Sequence, residues 1–356
     1  MKAAIITDTH WGVRGDSKQF LDFFEKFYNN VFFPKLIEEG ITTIFHLGDI
    51  VDRRKFINYV TLHHFKNIFI NRLEELGITM HVIVGNHDIP YRNTNSINAM
   101  MELFRSPNII TYADPKDVEF DGVSIAMLPW INNENYTSSM EFVKKTKSQI
   151  LFGHLELAGF SMYRGLESHD GMDPGIFNKF DMVCSGHFHH KSSNGNIHYL
   201  GNPYELNWND YNDNRGFHIF DSETREIDFI QNPYRMFHKV WYDDVDTTLE
   251  KMLDKYDFSV YNNCYVKVIV QNKINPYWFD IMMDNLYKEN PANVSIVEDN
   301  KHMDALQEED IINEVEDTLT TLHNYVDTMN TDIDKKKLNL LFSNLYIEAQ
   351  TFDSVS

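Results

Sequence analysis

Five short polar clusters, each directly behind an apolar β-type run, constrain this chain more than anything else in its 356 residues. Asp8-Thr9-His10 follows Ala3-Ala4-Ile5-Ile6, and Gly48-Asp49-Ile50-Val51-Asp52 follows Thr42-Thr43-Ile44-Phe45-His46-Leu47. Gly85-Asn86-His87-Asp88 follows His81-Val82-Ile83-Val84, and Gly153-His154 follows Gln149-Ile150-Leu151-Phe152. The fifth, Gly186-His187-Phe188-His189, follows Met182-Val183-Cys184-Ser185. In an open α/β sheet the carboxyl ends of the strands converge on one crevice, so groups placed there can face one another. Packing has no need of imidazole at such positions, and carboxylates buried together without compensation are costly. Cations remove that cost, and carboxylate, imidazole and amide are donors that divalent transition metals accept. The pattern therefore predicts a metal centre built from residues far apart along the chain.

Between the clusters the spacing is helical. Phe20, Phe23, Phe24, Phe27 and Val31 mark a helix over about 19–39, and a second spans about 59–76. In the latter, Phe65, Ile68, Phe69 and Leu73 form a stripe read most simply as core. Short strands separated by such helices predict a β-α-β sheet buried on both faces. Asp121-Gly122 and Asn194-Gly195 are hairpin signals, so antiparallel strands extend the parallel beginning. Asn232-Pro233 is a boundary, after which strands near 237–242, 265–270 and 294–297 and a helix near 276–289 make a small α/β domain. From Glu298 to Asp334 there are twelve Asp/Glu against one Lys. Within and beyond that stretch, Ile312, Val315, Leu319, Leu322, Val326 and Met329, then Leu338, Leu341, Leu345 and Ala349, alternate at helical spacing. They predict a helical hairpin that either closes on itself or, the favoured reading, docks onto a partner helix or coiled coil.

The composition, 42% apolar and 24% charged, excludes a mainly disordered chain. Two cysteines, Cys184 and Cys264, are too few for a disulfide framework and suit a reducing compartment. No apolar run reaches the roughly 20 residues needed to span a bilayer, and the apolar start is too short for a signal peptide. A cytoplasmic protein is expected. A net charge of −21 argues at first against nucleic acid, but about half of it sits in the acidic C-terminal stretch. DNA binding that leans on metal and on a partner stays open.

In order and spacing, Asp-x-His, Gly-Asp-x-x-Asp, Gly-Asn-His-Asp, Gly-His and Gly-His-x-His resemble the motifs of the calcineurin-like metallophosphoesterase superfamily over about residues 1–230. The Gly-His-x-His ending, the length, the small domain and the helical tail are similar to its SbcD-type DNA-repair nuclease branch, and there to the phage-type small subunits. The resemblance implies an α/β fold: a four-layer α/β/β/α metallophosphoesterase sandwich with a small α/β capping domain and a C-terminal helical hairpin. It divides the chain into a nuclease domain (1–232), a capping, DNA-recognition domain (233–300), and an acidic linker with a partner-binding hairpin (301–356).

The same resemblance implies one metal site from Asp8, His10 and His189 and another from Asn86, His154 and His187, with Asp49 bridging. Seven ligands with four imidazoles favour Mn²⁺ over Mg²⁺, so two Mn²⁺ per chain are expected, with Mg²⁺ a weaker substitute. His87 is the candidate acid for the leaving sugar oxygen, with Asp88 orienting it and raising its pKa. The alternative for His87 is an orienting hydrogen bond to Asp49 or to backbone. Cellular members of the branch carry His where this chain has Asp52. Gly48-Asp49-Ile50-Val51-Asp52-Arg53 is instead similar to a phosphoprotein-phosphatase motif, so Asp52 puts the phosphate-positioning step in question. Arg53, Arg54 and Lys55, with Arg92, are either DNA-phosphate contacts or a solvated basic run.

The activity implied is that of a Mn²⁺-dependent DNA nuclease subunit, a 3′–5′ exonuclease and single-strand or hairpin endonuclease in recombination and double-strand-break repair. Its implied partner is an SMC-like coiled-coil ATPase, with a homodimer completing a heterotetramer. The alternative is a metallophosphatase acting on phosphoprotein or small phosphoesters. Asp52-Arg53 favours it, whereas the Gly-His-x-His cluster and the long C-terminal extension oppose it.

Overall fold

Alternation along the first strand, β1 (Lys2–Ile6), sets the layering: Ala3 and Ile5 enter one core and Ala4 and Ile6 another. A strand apolar on both faces has to be covered on both. The computed structural model describes residues 1–297 except 164 and 170, together with 335 and 338, and only the backbone of 166 and 167. Met1–Val297 forms one compact unit.

β1 pairs in parallel with β2 (Thr43–His46), β2 with β3 (Thr79–Ile83), and β3 with β4 (Ile109–Tyr112). The chain then builds a second sheet. β5 (Lys116–Phe120) turns through Asp121-Gly122, both at positive φ, into β6 (Val123–Leu128), the hairpin that Asp-Gly announces. β7 (Ile150–His154) lies parallel to β6, and a small hairpin of β8 (Ser161–Tyr163) and β9 (Leu166–Glu167) stands aside. β10 (Met182–Gly186) joins β7 in parallel, and β11 (Ser192–Asn194) with β12 (Ile197–Tyr199) closes that sheet's far edge. β13 (Gly216–Asp221) and β14 (Glu226–Gln231) return antiparallel to the first sheet, β13 against β1. Two six-stranded sheets result, ordered β14-β13-β1-β2-β3-β4 and β11-β12-β10-β7-β6-β5. Both have a parallel centre; the second is antiparallel at both edges, the first only at its β14-β13 side, since β4 runs parallel to β3. The two sheets are the β layers of the α/β/β/α sandwich that the resemblance implies.

Three cores make the four layers. Between the sheets lie Ala3, Ile5, Phe45, Ile83, Phe120, Ile125, Phe152 and Phe220. Outside the first sheet, Phe24, Phe27, Tyr28, Phe32, Phe65 and Phe69 pack on Ala4, Ile6, Ile44 and Val82. Outside the second, Val143, Leu155, Phe160 and Phe177 pack on Ala126, Leu151 and Val183. The first helix runs Lys18–Phe27 and continues through a π-helical turn, Tyr28–Phe32, into Phe33–Glu38. The second repeats the device as Tyr59–Phe65, Lys66–Ile70 and Asn71–Leu76. The two π turns meet where Tyr28 and Phe69 contact edge to face, 5.1 Å between centroids.

Beyond Asn232, β15 (Phe237–Asp243), β16 (Tyr265–Asn272) and β17 (Asn293–Val297) form a parallel three-stranded sheet. Helix Pro276–Lys288 covers one face, giving a separate core of Val240, Val266, Val268, Phe279, Met282 and Leu286. At the near end of the other face, Phe237 and Tyr265 pack on Phe20. Buried Glu205 secures the junction by accepting from the N–H groups of Met236 (2.7 Å) and Phe237 (2.9 Å) and from Arg235 (3.2 Å). The expected docking positions Ile312, Val315, Leu319, Leu322, Val326, Leu341 and Leu345 lie outside the described residues; Leu338 is described, as helical. No helix among the described residues is long and apolar enough to cross a membrane.

Phe24 is fully buried and stacked on Tyr204 at 3.8 Å between centroids. Phe24→Ala should therefore destabilise the protein by about 3–5 kcal/mol in urea denaturation. Tyr59→Ser, at a side chain 87% exposed, should shift stability by less than about 0.5 kcal/mol.

Candidate metal centre

The ladder between β1 and β2 continues past both strand ends and carries the first ligands with it. The Asp8 N–H donates to Gly48 O (3.1 Å), the His10 N–H to Asp49 O (3.2 Å) and the Trp11 N–H to Ile50 O (2.7 Å). The two exits are bent as well as paired: Asp8, His10, Asp49 and His187 all have positive φ, between 43° and 88°. Such backbone costs on the order of 1–3 kcal/mol per residue and persists where the surroundings over-determine it. β1, β2 and β3 deliver Asp8, His10, Asp49 and Asn86 from one sheet, while β7 and β10 deliver His154, His187 and His189 from the other. The centre therefore sits at the shared edge of two sheets rather than in the crevice of one.

All seven expected ligands meet there. The ligand atoms of Asp8, His10 and His189 lie within 4.8 Å of one another, and so do those of Asp49, His154 and His187. Asn86 Oδ1 lies 2.9 Å from both His154 Nε2 and His187 Nδ1. Asp49 Oδ2 stands between the two groups, 3.3 Å from His154 Nε2 and 3.9 Å from His10 Nε2. His10 and His189 present Nε2 to Nε2 at 3.0 Å, and the Nδ1 of each is buried with no hydrogen-bond partner among the described residues. Two neutral imidazoles can share only one proton across that gap, whereas a cation accepts a lone pair from each. The donor set thus fits divalent metal. His154 is preset for it: Nδ1 donates to Leu47 O (2.7 Å), which leaves Nε2 facing the centre.

Burial dominates the electrostatics. It drives His10 well below the ordinary imidazole range, helped by neighbouring His87 and His189. It lowers His187 to about 3 and His189 to about 4. These three rings are neutral at pH 7 and ready to donate. Burial also lowers His154, but the adjacent Asp49 carboxylate outweighs it and lifts the ring to about 9. Burial, with the charge of Asp49, pushes Asp8 up. Asp49 is itself raised by burial, yet the surrounding imidazoles, His154 foremost, hold it well below the usual carboxylate range.

Asp88 has a different task from the one expected. Its carboxylate accepts from the N–H groups of Asp49 (2.8 Å), Ile50 (2.9 Å), Val51 (3.3 Å) and Gly85 (2.9 Å), and so ties the β2 exit to the β3 exit. The partner of His87 Nδ1 is instead the carbonyl of Asp52, at 2.6 Å, and the His87 N–H donates to Asp49 Oδ1 at 2.7 Å. Neighbours in a tight turn point to opposite sides, so adjacency in sequence misassigned the pair. Gly85 and Gly186 are required by close approach: a Cβ on the first would strike the Asp49 carboxylate, and on the second Thr7 Oγ1.

Of the phosphate candidates, Asp52 and Arg53 already have other contacts. The Asp52 carboxylate lies 3.6 Å from His10 Nδ1, and Arg53 pairs with Asp16 at 3.0 Å. Arg54 and Arg92 are close enough that, after burial, Arg92 is the main influence lowering Arg54. Among the described residues neither has an ion pair or side-chain hydrogen bond. Sequence reasoning passed over three residues. Thr7 donates to Asp8 (2.7 Å) and Trp130 lies 5.1 Å from the His187 ring. Arg215, 2% exposed, donates to the His189 carbonyl and pairs with Asp210 (2.7 Å). Only Trp130 carried a signal, its place just after β6.

His154 carries a proton near neutral pH and a cation has to displace it. Uptake of Mn²⁺ should therefore release about one proton per chain from this ring at pH 7.5, with affinity rising until pH passes about 9. Calorimetric titration in two buffers of different ionisation enthalpy measures that count; release of none would contradict it.

Residues 1–191 match the family model described as calcineurin-like phosphoesterase. The chain is 33% identical over 364 residues to exonuclease subunit 1 of Enterobacteria phage T4, covering 98% of this chain and 99% of that relative. Among solved structures, a novel archaeal phosphodiesterase is covered in full and overlaps 65% of this chain at 17% identity, with a TM-score of 0.34. A glutamine-dependent NAD⁺ synthetase from Acinetobacter baumannii overlaps 98% of this chain and 72% of its own at 7% identity, with a TM-score of 0.27. Similarities with TM-scores that low bear on neither fold nor function. The family match and the end-to-end relative bear on both: this chain belongs to the calcineurin-like phosphoesterase family, a fold that works with divalent metal.

Proposed function

We propose that the chain is the nuclease subunit of a recombination and double-strand-break-repair complex. It hydrolyses DNA phosphodiesters with two Mn²⁺ per chain, as a 3′–5′ exonuclease and as an endonuclease on single strands and hairpins. The reading rests above all on Asp49, whose Oδ2 lies within reach of an imidazole from each ligand group. Divalent ions there would polarise the scissile phosphate and activate the attacking water. The assignment of Asp8, His10, Asp49, Asn86, His154, His187 and His189 as ligands belongs to this proposal.

His87 is the proposed proton donor to the leaving sugar oxygen. With Nδ1 committed to the Asp52 carbonyl, Nε2 is the atom that gives and regains the proton. Arg54 and Arg92 are proposed to draw the DNA backbone to the centre, a local positive edge on a chain of net charge −21. The division into 1–232, 233–300 and 301–356 is retained as the working scheme, with the last segment docking an SMC-like coiled-coil ATPase. The relative's designation as an exonuclease subunit supports a partner of some kind. A homodimer is supported by exposed Phe56, Tyr59, Val60, Ile97 and Met101, on or just before helices Tyr59–Phe65 and Ala99–Leu103. The complex would act in the cytoplasm.

Phosphatase chemistry is favoured only by the Asp52-Arg53 pair, and Arg53 is engaged with Asp16. Incubation with Mn²⁺ should release nucleotides from a 3′-labelled duplex and little phosphate from p-nitrophenyl phosphate; the reverse preference would overturn the nuclease reading. His87→Ala should lower hydrolysis by about 100-fold or more while Mn²⁺ uptake measured by calorimetry persists; wild-type rates in that variant would remove His87 as the acid. Truncation at Met303 should abolish copurification with the ATPase.

A further inference from the structure

A pocket of ≈ 180 Å³ opens beside His154, lined by Trp130, Asn133, Tyr136, Glu156 and Met172 among others. It is smaller than the roughly 300–1,000 Å³ of a site for a drug-sized ligand, a size for one ring system rather than a whole nucleotide. Among the described lining residues there is no Lys or Arg. A lining of that kind suits a flat, uncharged group better than a phosphate.

Its wall is built rigidly. Trp130 meets two imidazoles of the centre, with ring centroids 5.1 Å from His187 and 6.0 Å from His154. Its N–H donates to Val84 O (2.8 Å), which ties the end of β6 to the exit of β3 in the other sheet. Its carbonyl accepts from the side-chain amides of Asn95 and Asn135, both at 2.9 Å. Asn132 locks those two together, donating to Asn95 Oδ1 (2.9 Å) and, through its N–H, to Asn135 Oδ1 (2.8 Å). Three buried asparagines thus fix the backbone of one half-buried tryptophan. Packing alone asks for no such apparatus, whereas a platform for a ligand gains from being held in place. Tyr136, 50% exposed, stands at the same pocket as a second aromatic surface.

We propose that the Trp130–Tyr136 pocket is a nucleobase subsite, seating the base of the nucleotide whose phosphate lies at the metal centre. The inference rests on the nuclease reading and deepens it. The base stacks on the indole, with Asn133 and Glu156 near its polar edge. Stacking on an aromatic face is tolerant of sequence, so the pocket grips any end while requiring that the terminal base be unpaired.

The test compares two single-stranded oligonucleotides, one ordinary and one with a tetrahydrofuran abasic residue at the cleaved terminus, using the full chain with Mn²⁺. Wild type should prefer the ordinary end by about tenfold or more in kcat/KM. Trp130→Ala should collapse that preference toward unity, and Trp130→Phe should restore most of it. Calorimetric Mn²⁺ uptake should be the same in all three proteins. An unchanged preference in Trp130→Ala would overturn the subsite while leaving the nuclease reading intact. Loss of Mn²⁺ uptake in that variant would also overturn it, because Trp130 would then serve the imidazoles and not the substrate. Wild type that cuts neither oligonucleotide would instead overturn the nuclease reading and this inference with it.

Discussion

The carboxylate of Asp88 pins the loop against which the candidate ligands are set. By gathering the N–H groups of Asp49, Ile50, Val51 and Gly85, it fixes the exits of β2 and β3 to each other and leaves the side chain of Asp49 projecting between them. Four backbone donors in a water-poor interior would otherwise go unsatisfied, at a cost of about 1–3 kcal/mol each. The β1 exit is hung on the same loop through Asp8, His10 and Trp11. Asp8 in turn accepts the N–H of His187 at 3.0 Å, which draws in the second sheet. One buried anion therefore organises the strand ends that carry the proposed metal ligands.

That arrangement is electrostatically unbalanced without a cation. Asp8, Asp49 and Asp88 are buried close together, and burial pushes each of them toward its neutral form. Asp88 is stabilised by backbone dipoles and Asp49 by imidazole; for Asp8 the charge of His154, then Thr7 and the His187 N–H, work against burial without overcoming it. Three of the four ligand imidazoles are held neutral with lone pairs turned inward. Positive φ at Asp8, His10, Asp49 and His187 adds backbone strain to the same spot. A fold retains such tension where function needs the geometry, and divalent ions relieve the charge part of it.

Much of this could be read before any coordinates. Imidazole and carboxylate directly behind apolar runs are conspicuous because a core has no use for them, so Asp8, His10, Asp49, Asn86, His154, His187 and His189 stood out by residue type and place. The helices near 19–39 and 59–76 showed in their aromatic spacing, and Asp121-Gly122 marked its own hairpin. What stayed hidden depended on contacts between distant segments. Nothing local tells β13 to leave the second sheet and pair with β1, so the two sheets followed from the resemblance and not from the strand pattern. Arg53 looked free because its partner Asp16 lies on another loop. Asp88 looked like the orienting group of His87 because sequence adjacency conceals that a tight turn sends the two side chains apart. Arg215 and the asparagines behind Trp130 act on backbone carbonyls, and such contacts leave no motif.

The central claim is that strand ends from two sheets enclose a pair of ions bridged by Asp49. Anomalous diffraction at the manganese edge, from crystals grown with Mn²⁺, tests it most directly. Two peaks per chain are predicted, about 3.5–4 Å apart, with the Asp49 carboxylate between them, one beside Asp8, His10 and His189 and the other beside Asn86, His154 and His187. A single peak, or peaks remote from Asp49, would contradict the account.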